Sequence, residues 1–273
     1  MNTVYLSKLA GGPLIAYLRA RGFDLHLLDG RHTPVYRQIA THADIHFCQL
    51  GLWEKARIFP GNRAALSAHY PGNISYNAAC TGKYLIHNLK YTDPHLLAAA
   101  RAYAGLYAKG AGDTEKAGDA KGALREIHVK QGYARCSCLP VTENAFITSD
   151  RGIARALEAY SNSDPCTHPL RVLLIREGHI HLPGFSHGFI GGCAGCLVVE
   201  GSRTVLFNGD LAAHPDYKNI AAFLQDCDVG LQFFPAYPLT DIGGILTGRL
   251  LTAGNSRQSG GAISADFKAP PRK

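Results

Sequence analysis

The sequence predicts an α/β fold assembled from copies of one small unit. Two observations carry this. Three segments of the chain repeat the same order of turn, apolar strand, polar corner and amphipathic helix, and each copy is preceded and followed by further strand-like residues. The segments are TGKYLIHNLKYTDPHLLAAARAYA from Thr81, ENAFITSDRGIARALEAYS from Glu143 and SRTVLFNGDLAAHPDYKNIAAFLQD from Ser202. Ile86, Ile147 and Phe207 hold the same place in the pattern, so the period is about 60 residues.

Taken in order, Thr3–Leu6 reads as a strand, residues 11–21 as a short helix stopped at Gly22, and DLHLL from Asp24 as a second strand, a β-α-β opening. ADIHFCQL, Ala43–Leu50, alternates Ile45 and Phe47 against His46 and Cys48 and reads as a strand, with Asp44 and His46 on one face. NISYNAAC, GYARCSCLPV and GFIGGCAGCLVV stand before the three repeats; EIHVKQG, RVLLIREG and VGLQFF follow them. The unit is thus strand, turn, strand, helix, strand. One such unit cannot bury its apolar face alone, whereas several around an axis can. With the looser residues 1–70, about five are expected. One folded region, 1–250, is expected. Ala108–Ala123 lacks aromatic and branched aliphatic residues and reads as a flexible insert, and 251–273 as a disordered tail.

The chain has 273 residues, 46% of them apolar, enough for a sizeable core. No apolar run approaches the roughly 20 residues a membrane span needs. The first residues lack the basic head of an export signal, so a cytoplasmic location and reduced thiols are expected for the eight cysteines. The net charge is +7, but several of the basic residues fall in the insert and tail, no basic stripe interleaved with aromatics is visible, and nucleic acid is not expected as a partner. GFIGGCAG has neither phosphate-loop spacing nor a following Lys-Ser/Thr. Its glycines read as close approaches near the axis, and no cofactor is expected.

YPGNISYNAACTGKYLIHNLKYTD, VKQGYARCSCLPVTENAFITSDRGI, GHIHLPGFSHGFIGGCAG and FNGDLAAHPD together resemble an uncharacterised bacterial family assigned to the guanidine-modifying-enzyme fold, also called the pentein or α/β propeller. The resemblance implies a pentein-type α/β propeller of five ββαβ units around a pseudo-fivefold axis. It also implies a small guanidino ligand, because the wider superfamily contains deiminases and amidinotransferases with a cysteine nucleophile, a histidine acid/base and guanidinium-binding carboxylates. A ribosome anti-association factor without catalysis belongs there too, so fold alone does not choose between enzyme and binding module.

A thiolate is needed to attack a guanidinium carbon, a histidine to move protons, and carboxylates to hold the N–H groups. Cys136 is the nucleophile candidate, with Lys130 and Arg135 nearby in sequence to favour its thiolate; the competing reading is a small residue packed at the axis. At the 60-residue offset it maps onto Cys196. His46 is the acid/base candidate, oriented by Asp44, and Asn77, Gln131, Asp210, Asp241 and Cys196 are candidates for lining the ligand pocket. Asp241 stands where the active enzymes of the superfamily lead one to look for a cysteine. Cys136-x-Cys138 with Cys193-x-x-Cys196 is a further, less expected possibility as a zinc tetrad. The corners at His87-Asn88, Ser149-Asp150 and Gly209-Asp210 read as helix caps, and His214 to Asp216 as a helix start.

Overall fold

The computed structural model describes residues 3–110, 123–163 and 169–251. Most of the expected insert and all of the tail but residue 251 lie outside them. In chain order the elements are β1 Thr3–Ser7, α1 Gly12–Ala20, β2 Asp24–Leu28, α2 Ala43–His46, β3 Phe47–Leu50, β4 Arg57–Pro60, β5 Ala79–Cys80, β6 Tyr84–His87, α3 Pro94–Gly110, β7 Arg125–His128, α4 Ala134–Ser137, β8 Cys138–Pro140, β9 Ala145–Thr148, α5 Arg151–Ser163, β10 Arg171–Leu174, β11 Ala194–Val199, β12 Ser202–Phe207, α6 Tyr217–Gln225, β13 Gly230–Gln232 and β14 Leu246–Leu250. The fold is mixed α/β. No helix among the described residues is long and apolar enough to cross a membrane.

The three repeats share one local topology. β5 and β6 pair antiparallel, and β6 pairs parallel with β7 after α3. β8, β9, α5 and β10 repeat this, as do β11, β12, α6 and β13. Ile86, Ile147 and Phe207 each face a residue of the preceding inner strand, namely Ala79, Leu139 and Ala194. A fourth copy joins the two ends of the described chain: β14 pairs antiparallel with β1, which pairs parallel with β2 after α1. β3 and β4 form an antiparallel pair, but β4 takes β14 as its parallel neighbour in place of a strand of its own. The material before Tyr70 looked loose in sequence because this pair lacks the long helix and third strand of the others.

Among the described residues the sheets number one of eight strands and two of three. The inner strands β3, β5 and β8 are wholly buried and helices cover the outer faces, as with Ile153 and Leu157 of α5 over Phe146, and Ile220 and Leu224 of α6 over Val205 and Phe207. Two of the three expected corner caps are present. Asp150 Oδ1 accepts from the backbone N–H of Gly152 and Ile153 at 2.7 and 2.9 Å, and Asp210 Oδ1 from Ala212 at 3.0 Å. In the first repeat the cap is Asp93, which accepts from His95 and Leu96, while Asn88 donates to Lys130 O. Each cap is worth about 1 kcal/mol.

His87 ends β6 fully buried, its Nδ1 2.7 Å from Thr92 Oγ1. Burial pushes the imidazole down to about 4. An unfolded His87 binds a proton below about 6.5, whereas the folded one resists until about 4. Its contribution to stability is therefore complete above the upper value and lost as pH falls through the lower, a total of about 3 kcal/mol. We expect the urea midpoint of His87→Gln to fall less steeply than that of the wild type between about pH 7 and pH 4.5. Parallel curves would show that His87 does not carry the acid sensitivity.

Candidate functional site

Five chain segments that lead into inner strands meet in a closed circuit of hydrogen bonds. The N–H of Asp44 donates to Gly243 O at 3.0 Å, that of Gly244 to Gly192 O at 2.7 Å, and that of Gly192 to Cys136 O at 3.0 Å. The N–H of Arg135 donates to Asn77 O at 3.1 Å, and Asn77 Nδ2 closes the circuit on Asp44 O at 3.3 Å. Glycine is required here because the backbones touch. A Cβ on Gly191 would stand 2.1 Å from Arg135 O, one on Gly192 2.1 Å from Asp241 Oδ1, and one on Gly195 1.9 Å from Ile245 O. The glycine-rich stretch thus serves the close approach expected of it.

Inside the circuit the polar side chains face one another. Cys136 Sγ donates to Asp44 Oδ2 at 2.7 Å, and Asn77 Nδ2 lies 3.5 Å from the same sulfur. Asn77 Oδ1 accepts from the N–H groups of Arg135 and Cys136, at 2.8 and 3.2 Å, and so holds the turn that carries the thiol. Asp241 accepts from Phe189 N–H on Oδ2 and from Gly243 N–H on Oδ1, both at 2.9 Å, with Oδ1 3.9 Å from His42 Nδ1. Arg135 donates from Nη1 to Gly191 O at 2.9 Å and from Nη2 to Ala194 O at 3.3 Å. All six residues are at most 5% exposed.

Burial dominates the electrostatics. It raises the Asp44 carboxyl to about 7, against the opposing hydrogen bond from Cys136. It lifts the Cys136 thiol well above its ordinary value, reinforced by the negative charges of Asp44 and Asp241, and it depresses His42. The expectation that Lys130 and Arg135 lower the thiol is overturned: the group nearest the sulfur is a carboxylate, and Arg135 points to Gly191 and Ala194.

Asp44, Asn77, Cys136 and Asp241 are brought together; the other candidates lie elsewhere. Ala43–His46 is one helical turn and only Phe47–Leu50 is strand. Side chains two apart on a helix diverge, so Asp44 and His46 do not share a face. His46 Nε2 instead pairs with Ala40 O at 2.7 Å, and the residue borders a cleft of about 230 Å³ with His26, Asp29, Arg31 and Arg63. Gln131 bridges Asp150 Oδ2 and the Tyr133 N–H, bracing the turn before α4. Asp210 is the cap already described. Cys196 donates to Pro140 O at 3.1 Å within an apolar cluster. The residue that meets Cys136 in the circuit is Gly192, four positions earlier, so the 60-residue offset slips where the connecting loops differ.

The four cysteines of the zinc possibility do not converge. Cys138 packs with Ala79, Ile127 and Phe146, while Cys193 and Cys196 pack with Leu139 and Val205. Among the described residues seven cysteines are free. Sequence reasoning passed over His42. Its signal was only its place two residues before Asp44, with no periodicity to mark it.

No curated protein matches this chain. The model of a family of unknown function, DUF6873, matches residues 14–105 and 117–246, which include every side chain of the central cluster. The chain belongs to that family of unknown function.

Proposed function

We propose that the protein is a pentein-type α/β propeller whose central thiol–carboxylate–histidine cluster acts on a small guanidino or amidine compound. Four ββαβ-like copies, a fifth antiparallel pair and a five-membered hydrogen-bond circuit support the propeller. The observation that carries the chemistry is the 2.7 Å contact between Cys136 Sγ and Asp44 Oδ2, with His42 and Asp241 beside it. In this reading Asp44 and Asp241 hold the planar cation by charge-assisted bonds. The bound cation supplies the positive charge that lowers the thiol, and the proton of Cys136 passes to Asp44. Sulfur bonds to the guanidinium carbon, the C–N bond breaks, and the departing amine takes from Asp44 the proton that Cys136 gave up. Neutral His42 then takes a proton from the water, or acceptor amine, that releases the amidino group from sulfur.

Chloroacetamidine labelling with peptide mapping tests this. Fast, saturable modification confined to Cys136, absent in Cys136→Ala and slowed at least tenfold in Asp241→Asn, is expected. Slow labelling spread over all the cysteines overturns the assignment.

A second reading, a non-catalytic binding module, has its own observation in favour. The cluster already contains a guanidinium, that of Arg135, buried against Gly191 O and Ala194 O. Association with ribosomes or a protein partner, with no turnover of any member of a guanidino substrate panel, is the outcome that selects it.

A further inference from the structure

The central cluster has a property that the guanidino chemistry does not use. One ligand atom from each of His42, Asp44 and Cys136 lies within 4.8 Å of the other two, and all three residues are buried. Two of their atoms have no hydrogen-bond partner among the described residues, Asp44 Oδ1 and His42 Nδ1. A buried carboxylate oxygen and a buried ring nitrogen left unsatisfied in the same cluster carry an energetic penalty that proteins normally avoid. Each is an electron-pair donor, as is the sulfur beside them. Water could satisfy one of these atoms, but the convergence of nitrogen, oxygen and sulfur donors suits a cation better.

The surroundings fit this. Asp241 Oδ1, 3.9 Å from His42 Nδ1, places a second carboxylate beside the site but is too far to take that nitrogen as a hydrogen-bond partner, so its electron pair stays free for an ion. Asp241 is in turn fixed by the Phe189 and Gly243 N–H groups. Asn77 holds the turn that carries the sulfur. The ligands come from α2 with the residue before it, and from α4, both in the hydrogen-bond circuit, so the geometry does not depend on exposed loops.

We propose that His42, Asp44 and Cys136 form a binding site for one divalent transition-metal ion of the zinc type. The mixed nitrogen, oxygen and thiolate set selects such an ion over calcium or magnesium, which prefer oxygen alone. Binding replaces the S–H bond by a sulfur–metal bond and releases the proton to solvent; no electron is transferred. Three protein ligands leave a fourth position of a tetrahedral ion to water or a small ligand. The site shares Cys136 with the guanidino reading but does not rest on that chemistry. Where both hold, metal and amidine compete for one sulfur, and the ion keeps the thiol out of reaction.

The test uses the full chain, stripped with chelator and refolded with Co²⁺ or Zn²⁺. One Co²⁺ per chain is expected, with the near-ultraviolet charge-transfer band of a cobalt–thiolate bond. Cys136→Ser abolishes the band, and Asp241→Asn weakens binding about 10- to 100-fold while the band remains. Zn²⁺ displaces Co²⁺ and slows alkylation of Cys136 at least tenfold. Should Cys136→Ser fold poorly, the same band and stoichiometry are read in His42→Gln, where Co²⁺ affinity falls at least tenfold. Absence of stoichiometric Co²⁺, or a band that survives Cys136→Ser, overturns the proposal. The two ideas fail separately: amidine labelling of Cys136 with no metal binding removes the metal site alone, and metal binding with no labelling of the stripped protein removes the guanidino reading alone.

Discussion

Gly195→Ala is expected to destabilise the protein by about 3 kcal/mol or more, with loss of soluble expression as the first sign. Gly195 lies on β11 opposite Leu206 of β12, and the strand passes directly over the chain entering β14. An added Cβ would lie 1.9 Å from Ile245 O and 2.7 Å from Ile245 Cβ. Neither neighbour can yield, because Ile245 N–H donates to Ala194 O at 3.1 Å and its side chain is fully buried. Gly105→Ala is the matched control. Gly105 lies within α3 with nothing among the described residues within 4 Å of the new methyl, so it should gain about 0.5–1 kcal/mol. Thermal or urea denaturation of the two variants beside the wild type checks both signs. A Gly195→Ala protein as stable as the wild type would mean that β11 and β14 are not in contact.

Arg135→Ala should cost about 2–5 kcal/mol through lost packing and lost buried hydrogen bonds. The side chain is 5% exposed, and its guanidinium serves two backbone carbonyls, Gly191 O and Ala194 O, on the segment leading into β11. Its charge also favours the ionised form of Asp44. Removal takes one donor from each of two buried carbonyls, which keep only the Ala194 and Ile245 N–H groups, leaves the space of the side chain empty, and deprives Asp44 of a favourable charge. Arg135→Lys should recover less than half of the loss, because one ammonium does not reproduce the fork that reaches both carbonyls. Urea midpoints decide the matter. A loss below about 1 kcal/mol for Arg135→Ala would remove Arg135 from its bridging role.

The repeated units were legible because their signals are local. Apolar runs such as YLIH, AFIT and TVLF, each followed by an amphipathic helix, form β6, β9 and β12 with α3, α5 and α6. The Asp150 and Asp210 caps were legible for the same reason, since a cap is a contact over two or three residues. The copy made from β14 with β1, α1 and β2 was only half visible. Its β-α-β part is contiguous, but its first strand comes from the other end of the chain, and no local pattern links Tyr5 to Leu246.

Within the site, Cys136 was singled out by its place in the repeat, Asp44 by its strand-like spacing to His46, Asn77 as an amide near an inner strand, and Asp241 by the resemblance. Which of them touch was decided in three dimensions. The 43–46 segment alternates like a strand, yet it turns as a helix, where Asp44 N–H donates to Gly243 O from the far end of the chain. That single turn carries His46 away to Ala40 O and puts His42 next to Asp241.

The sequence by itself therefore determined the unit, its period and the residue types available at the centre. Tertiary structure alone decided the partners: Cys136 with Asp44 across 92 positions, Arg135 with Gly191 across 56, and His42 with Asp241. The physical reason is range. Strand alternation, helix amphipathicity and caps are set by neighbours a few residues apart, whereas a buried thiol, carboxylate and imidazole acquire their chemistry from whatever the packed backbone brings within a few ångström.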